Sequence, residues 1–257
     1  HAGIEPVLLK GPVIANWLWP EEPWRRPYND ADLLVGAADL ARARLELSVL
    51  GYRCLVPVTA TLPHGRPRHA ECWFRDRDVV AIDLHRTIHR AEWADVDLVH
   101  DAARRGDARV TLPTLDASCP GVPFRLLHTV LHLGPGDLPC SRAAHDLQRA
   151  IAVVPLSSWR AAVDLAGTLG VVRDIGPLLV LVPGGPELCT ELGLDPRPSV
   201  AMRLEFGTDS YVGRFLSEVA SAPSSRRALL LAEKFLPPAS YLRAARPRPD
   251  RDGLRMK

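Results

Sequence analysis

Apolar residues fall into short runs over the first third of the chain and into helical spacing over most of the rest. Residues 5–9 (EPVLL) make an apolar run of strand character, broken at Lys10-Gly11-Pro12. Proline costs nothing in the first turn of a helix, so 13–19 (VIANWLW) reads as a helix that stops at Pro20. A loop rich in proline, arginine and tryptophan fills 21–29. In 30–35 (DADLLV), Ala31, Leu33 and Val35 alternate with Asp30, Asp32 and Leu34, which predicts a strand. An amphipathic helix over 37–50 follows, with Gly51 placed to cap its end. Residues 52–58 suit a strand and 61–69 (TLPHGRPRH) a turn. Segments 71–76 and 78–84 suit a hairpin bent near Arg77.

Beyond this α/β part the periodicity turns helical. Helices are predicted over 122–133, 141–154, 157–170 and 224–235, with Ser157 or Ser158 as the N-cap of the third. Residues 173–182 are apolar enough to be buried, and 183–186 and 195–198 are turns. The pattern divides the chain into an α/β core over 1–115, a helical region closing the cleft over 116–243, and a basic, proline-rich tail over 244–257, expected to be poorly ordered. The fold class is therefore α+β: a mixed β-sheet core with flanking helices, then a mainly helical C-terminal region. No internal repeat is visible. The first residue is His1, in what reads as a helix-to-strand junction, so further residues are expected to precede it.

The chain has 257 residues, enough to bury a sizeable core, and its 47% hydrophobic and 24% charged residues are ordinary for a globular protein. A net charge of +2 gives no bulk attraction to nucleic acid or an anionic membrane, so no general nucleic-acid binding is expected and any phosphate contact must be local. No apolar run reaches the roughly 18 residues of a membrane span, and no signal peptide is visible. The five cysteines, Cys54, Cys72, Cys119, Cys140 and Cys189, are odd in number and widely spaced. They predict buried thiols in a reducing cytoplasm rather than a disulfide framework or a zinc ribbon.

The chemistry concentrates at Asp30 and Asp32. A strand's period of two turns both carboxylates to one face, and two such charges a few ångströms apart repel unless a cation lies between them. Magnesium (or manganese) suits that position: it takes oxygen ligands and keeps sites open for substrate phosphates, and two such ions can organise a phosphoryl displacement. A third carboxylate completes such a site. Asp83 in VVAIDLH follows four apolar residues on a strand, whereas Asp76 and Asp78 sit nearer the bend and are expected to be solvated. A lone DxD is a weak motif; the apolar LLV after it and the second strand ending in Asp83 strengthen it.

The order VLLKG, helix, arginine-containing loop, DxDLLV, helix, GY, strand, strand with IDLH resembles the polymerase-beta-like nucleotidyltransferase superfamily. Within it the chain is similar to a family of uncharacterised nucleotidyltransferases often encoded beside bacterial biosynthetic clusters. FRLLHTVLHL, HDLQRAI and FLPPASYLRA extend that resemblance over nearly the whole chain. It implies transfer of a nucleoside monophosphate from an NTP, with ATP the first candidate, to an unidentified small-molecule, natural-product or peptide acceptor, in the cytoplasm and away from membranes. Asp30, Asp32 and Asp83 would be catalytic and hold the metal, with Asp83 also suited to general base. Lys10 and Gly11 would lie at the glycine loop that approaches the nucleotide phosphates, where backbone donors and a helix start suit an anion. Arg26 would face the triphosphate. The superfamily's usual Gly-Ser or Gly-Gly is here Gly11-Pro12, with one backbone donor fewer.

Several residues admit a second reading. His85 shares the strand face of Asp83 and would bind substrate or phosphate, or simply pack at the strand end. His85 and His89, like His128 and His132, are four apart, a zinc-like spacing without an evident third ligand. Asp146 would buttress an arginine or histidine, or form a structural ion pair. His64, Arg66, Arg68 and His69 make a basic turn, read as solvated, and Trp17, Trp19 and Trp24 suit core packing more than base stacking. The competing functions are a catalytically degenerate nucleotidyltransferase fold that binds a peptide or small molecule, and a metal-dependent phosphohydrolase, for which His145-Asp146 is the candidate His-Asp doublet.

Overall fold

The computed structural model describes residues 3–56, 65–78, 80–113, 115–134, 141–207, 211–239 and 242. Its main sheet has five strands: β1 (Val7–Leu8), β2 (Asp30–Leu34), β3 (Arg53–Val56), β4 (Ala70–Phe74) and β5 (Ala81–His85). They lie in the order β1-β2-β5-β4-β3, so the sheet is mixed. β2 and β5 run parallel, while the pairings β1–β2, β4–β5 and β3–β4 are antiparallel. The two aspartate-bearing strands are thus neighbours, with Asp32 opposite Asp83 and Leu34 opposite His85. β4 adds Cys72 opposite Asp83.

Alternation gives each sheet face one character. Val35, Trp73 and Leu84 point to one side and pack on Ala43 and Leu47 of helix α2 (Leu40–Val49). Asp30, Asp32, Leu34, Asp83 and His85 point to the other. Helix α2 follows a 3₁₀ turn over Ala37–Asp39, so the helix predicted from residue 37 opens in the tighter form. It ends as predicted: Gly51, at φ +86°, closes a double cap in which its own N–H donates to Ser48 O at 3.0 Å and the Tyr52 N–H donates to Leu47 O at 2.9 Å.

Helix α1 (Pro12–Leu18) packs on the carboxylate side, and further helices follow along the chain. These are α3 (Val96–Arg104), α4 (Val122–Leu131), α5 (Arg142–Val153), α6 (Leu156–Thr168), α7 (Val172–Leu179), α8 (Gly185–Glu191), α9 (Val200–Gly207), α10 (Tyr211–Ser221) and α11 (Ser224–Phe235). One hydrophobic cluster joins Val7, Leu9 and Leu34 of the sheet to Leu18 of α1, Phe124 and Leu131 of α4, Leu147 of α5 and Trp159 of α6. It runs without interruption across the expected boundary between residues 115 and 116. Trp17 and Trp19 pack against it, while Trp24 is exposed.

Some expectations need correction. The first strand is two residues long rather than five. Helix α6 starts at Leu156 with Pro155 as its N-cap, and neither Ser157 nor Ser158 caps it. A hairpin of β6 (Arg109–Leu112) and β7 (Leu115–Ser118), helix α3 and helices α8 to α10 were not read from the pattern. Cys119 and Cys189 are buried thiols, and Cys140 and the tail over 244–257 lie outside the described residues. Among the described residues no helix is long and apolar enough to cross a membrane.

Candidate functional site

Asp32 sits at the centre of the carboxylate face with only 1% of its surface exposed. Two side-chain nitrogens meet one of its oxygens. Lys10 Nζ lies 3.0 Å from Oδ1, and His85 Nε2 lies 2.9 Å from the same atom. The other oxygen, Oδ2, is buried and has no partner. Burial by itself would push the Asp32 carboxyl up; the His85 hydrogen bond and the Lys10 ammonium reverse that and hold it well below the usual carboxylate range.

Asp83 stands opposite Asp32 across the parallel pairing and is half-buried. Ligand atoms of Asp32, Asp83 and His85 all lie within 4.8 Å of one another, which is the spacing of groups able to share one cation. The second ring nitrogen of His85 donates to Thr87 O at 3.2 Å, which fixes the ring and aims Nε2 at the carboxylates. Asp30 is at the outer end of the same strand face. Burial, then the charge of Asp32, raises its carboxyl above the ordinary value, with Lys10 pulling the other way. The structure thus draws Asp32, Asp83 and His85 tightest together and leaves Asp30 at the mouth.

Helix α4 supplies a roof of imidazoles. His128 is buried, its ring 6.5 Å from that of His85 and 6.1 Å from that of His132. Burial, reinforced by Lys10, pushes both rings down, His132 to about 3. Lys10 donates to His132 Nε2 at 3.4 Å, so that nitrogen is an unprotonated acceptor. Lys10 therefore bridges a carboxylate and a neutral imidazole. Gly11 beside it adopts φ 60° and ψ −115°, a conformation that L side chains rarely take, so a substitution there is strained even though a Cβ would meet Asp30 O and the Tyr28 ring at an ordinary 3.4 Å.

Arg26 does not face an open phosphate site. Its guanidinium is buried and grips Asp146 through Nε at 3.0 and 3.2 Å and Nη2 at 2.8 Å, while Nη1 reaches Gly11 O at 3.4 Å. The physical reason is burial: an arginine withdrawn from water takes a carboxylate in the bidentate geometry that its planar fork suits. The pair ties the loop before β2 to α5 and braces Gly11 from beneath.

The basic turn is tied down rather than solvated. Arg66 donates to Glu218 Oε1 from its backbone at 2.7 Å and to Ser221 Oγ from Nη2 at 2.8 Å. His69 turns to Glu92, and Arg68 is exposed, while His64 lies outside the described residues. Glu92 escaped the sequence reading altogether. Its only trace there is His89-x-x-Glu92, an i, i+3 pair directly after the strand that ends in His85. Asp76 and Asp78 take no part in the site: Asp78 accepts from Tyr52 and Arg75, and Asp76 pairs with Arg53.

Residues 1–182, well over half the chain, match the family described as uncharacterised nucleotidyltransferase. No curated protein matches the chain.

Proposed function

The chain belongs to the uncharacterised nucleotidyltransferase family, and we propose that it transfers a nucleoside monophosphate from an NTP, ATP being the first candidate, to a hydroxyl or phosphate of a small metabolite, natural product or peptide, with magnesium or manganese at Asp30, Asp32 and Asp83. The observation that carries this reading is the buried, unpartnered Oδ2 of Asp32 beside Asp83 and His85. An acceptor atom withdrawn from water with nothing to bind is costly, and a divalent cation satisfies it.

The residues divide the work. Asp32 and Asp83, on two neighbouring strands, would hold the cation, with Asp30 at the mouth as a further oxygen ligand, and His85, fixed by Thr87, would supply a nitrogen or steady Asp32. The bound ion supplies charge neutralisation on the phosphate oxygens as the acceptor oxygen attacks. The new bond joins that oxygen to the α-phosphorus, and the bond to the β-phosphate oxygen breaks, releasing pyrophosphate. Asp83, half-buried and facing the reacting side, accepts the proton of the attacking hydroxyl. Lys10, beside Asp32 and next to Gly11 at the start of α1, is the cation on hand for the triphosphate. Arg26 contributes by holding Gly11, through which the loop keeps its shape, rather than by touching phosphate.

The test is to incubate the protein with each labelled NTP, magnesium and an extract containing candidate acceptors, beside Asp83→Asn. Label should pass to one acceptor class with wild-type protein and not with the variant. Equal transfer by both would remove the aspartates from the reaction.

A further inference from the structure

A second cluster of metal-ligating groups lies beside the aspartates without belonging to them. His69 precedes β4, and His89 and Glu92 lie on the turn that follows β5. Glu92 is only 4% exposed. Its Oε1 is 3.3 Å from His89 Nδ1 and 3.7 Å from His69 Nδ1, and the three ligand atoms all fall within 4.8 Å of one another. Donors about 2.0–2.1 Å from a tetrahedral ion stand roughly 3.3–3.4 Å apart, so the two measured edges are close to those of a filled site. The second oxygen, Oε2, has no hydrogen-bond partner; the nearest cation, Arg66 Nε, is 3.9 Å away and itself lacks a partner.

The backbone holds the cluster together independently of its side chains. The N–H groups of Arg86 and Thr87 both donate to His69 O, at 2.9 and 3.3 Å, which pins the start of β4 to the turn carrying His89 and Glu92. On that turn the Ala91 N–H donates to Ile88 O at 3.0 Å, with Arg90 at φ 67°, a tight turn that brings His89 back toward Glu92. The rings of His69 and His89 are 5.4 Å apart at 64°, so both nitrogens converge on the carboxylate instead of stacking.

We propose that His69 Nδ1, His89 Nδ1 and Glu92 Oε1 form a site for a borderline divalent transition ion of the zinc type. Two imidazoles and one carboxylate select against magnesium, which prefers oxygen alone. Three protein ligands leave a fourth position for water, and the partial exposure of both histidines gives that position a path to solvent. Arg66 balances the oxygen of Glu92 that the ion does not use. The ion would join the start of β4 to the turn after β5, the strand that carries Asp83, and the His69 ring is 5.5 Å from that of His85. The site stands whether or not Asp32 and Asp83 hold magnesium.

Cobalt(II) is the probe, because its visible absorption reports a nitrogen- and oxygen-ligated site of low coordination number. Chelator-stripped wild-type protein titrated with Co²⁺ should develop such a band at one equivalent, and Zn²⁺ should abolish it. The band should survive in Asp83→Asn and be lost in His69→Gln/His89→Gln, both of whose positions are part-exposed and tolerate a polar replacement. Zn²⁺ alone should also raise the thermal midpoint of the unmodified chain, a readout that needs no variant. No band, no rise in midpoint, a band that persists in the histidine variant, or one lost in Asp83→Asn would each overturn the assignment.

Discussion

Lys10 and His85 meet at a single oxygen of Asp32, with Lys10 Nζ 3.0 Å from Oδ1. A fixed positive charge at that distance opposes a divalent cation on the same carboxylate. Lys10→Met is therefore expected to tighten magnesium binding, by at least about threefold, while raising the KM for the NTP because the phosphates lose an ammonium. Calorimetric titration with magnesium and steady-state rates at varied NTP separate the two effects. Weaker magnesium binding in the variant would show that Lys10 supports the ion instead of competing with it.

Asp32 and Asp83 should part company when stability is measured beside activity. Asp32→Asn leaves Lys10 and His85 facing a neutral amide in a buried setting and is expected to cost about 3–5 kcal/mol. Asp83→Asn removes a half-buried carboxylate from beside another and should cost under about 1 kcal/mol. Both should reduce nucleotidyl transfer by about a hundredfold or more. Urea unfolding and pyrophosphate release, run on the same preparations, check the contrast.

His132 makes the protein acid-sensitive over a defined interval. Its folded-state value falls to about 3, by burial first and Lys10 second, against roughly 6.5 in the unfolded chain. Between those values the unfolded state binds more protons. The stability that the neutral ring contributes is thus complete above about pH 6.5 and is lost as the pH falls toward 3, at up to about 1.4 kcal/mol per pH unit. Unfolding free energies at a series of pH values below 7 should show this slope, and His132→Gln should show less of it.

Arg26 and Asp146 should behave as a unit. Their side chains are 8% and 7% exposed, so Arg26→Ala strands a buried carboxylate and is expected to cost about 3–5 kcal/mol. Arg26→Met combined with Asp146→Leu removes both charges and should recover most of that loss. A double variant as unstable as the single one would mean that the guanidinium's contact with Gly11, not the ion pair, is what matters.

The strands that carry the aspartates were legible because a period of two needs only five residues to show itself. DADLL and AIDLH both fix which side chains share a face. The parallel neighbourhood of β2 and β5 was not legible: no local pattern states which strand lies beside which. Arg26 was assigned to phosphate by the family resemblance, and no local pattern reveals that it is committed to a carboxylate. Its partner is 120 positions away. Glu92 was overlooked for a related reason, since a glutamate between alanine and tryptophan gives no sign of burial. Helix α9 (VAMRLEFG) shows no clean apolar stripe, whereas α10 does carry one in Val212, Phe215, Leu216 and Val219 and could have been read.

The long reach of these contacts bears on how the chain acquires its site. Lys10 finds His132 across 122 positions and Arg26 finds Asp146 across 120. Closing loops of that length carries an entropic cost, which the hydrophobic cluster that holds α4 and α5 on the sheet helps to offset. A fragment ending near residue 115 would carry all three aspartates and the lysine, yet Lys10 would lack its imidazole and Arg26 its carboxylate. The polar centre is therefore complete only with α4 and α5 seated on the sheet.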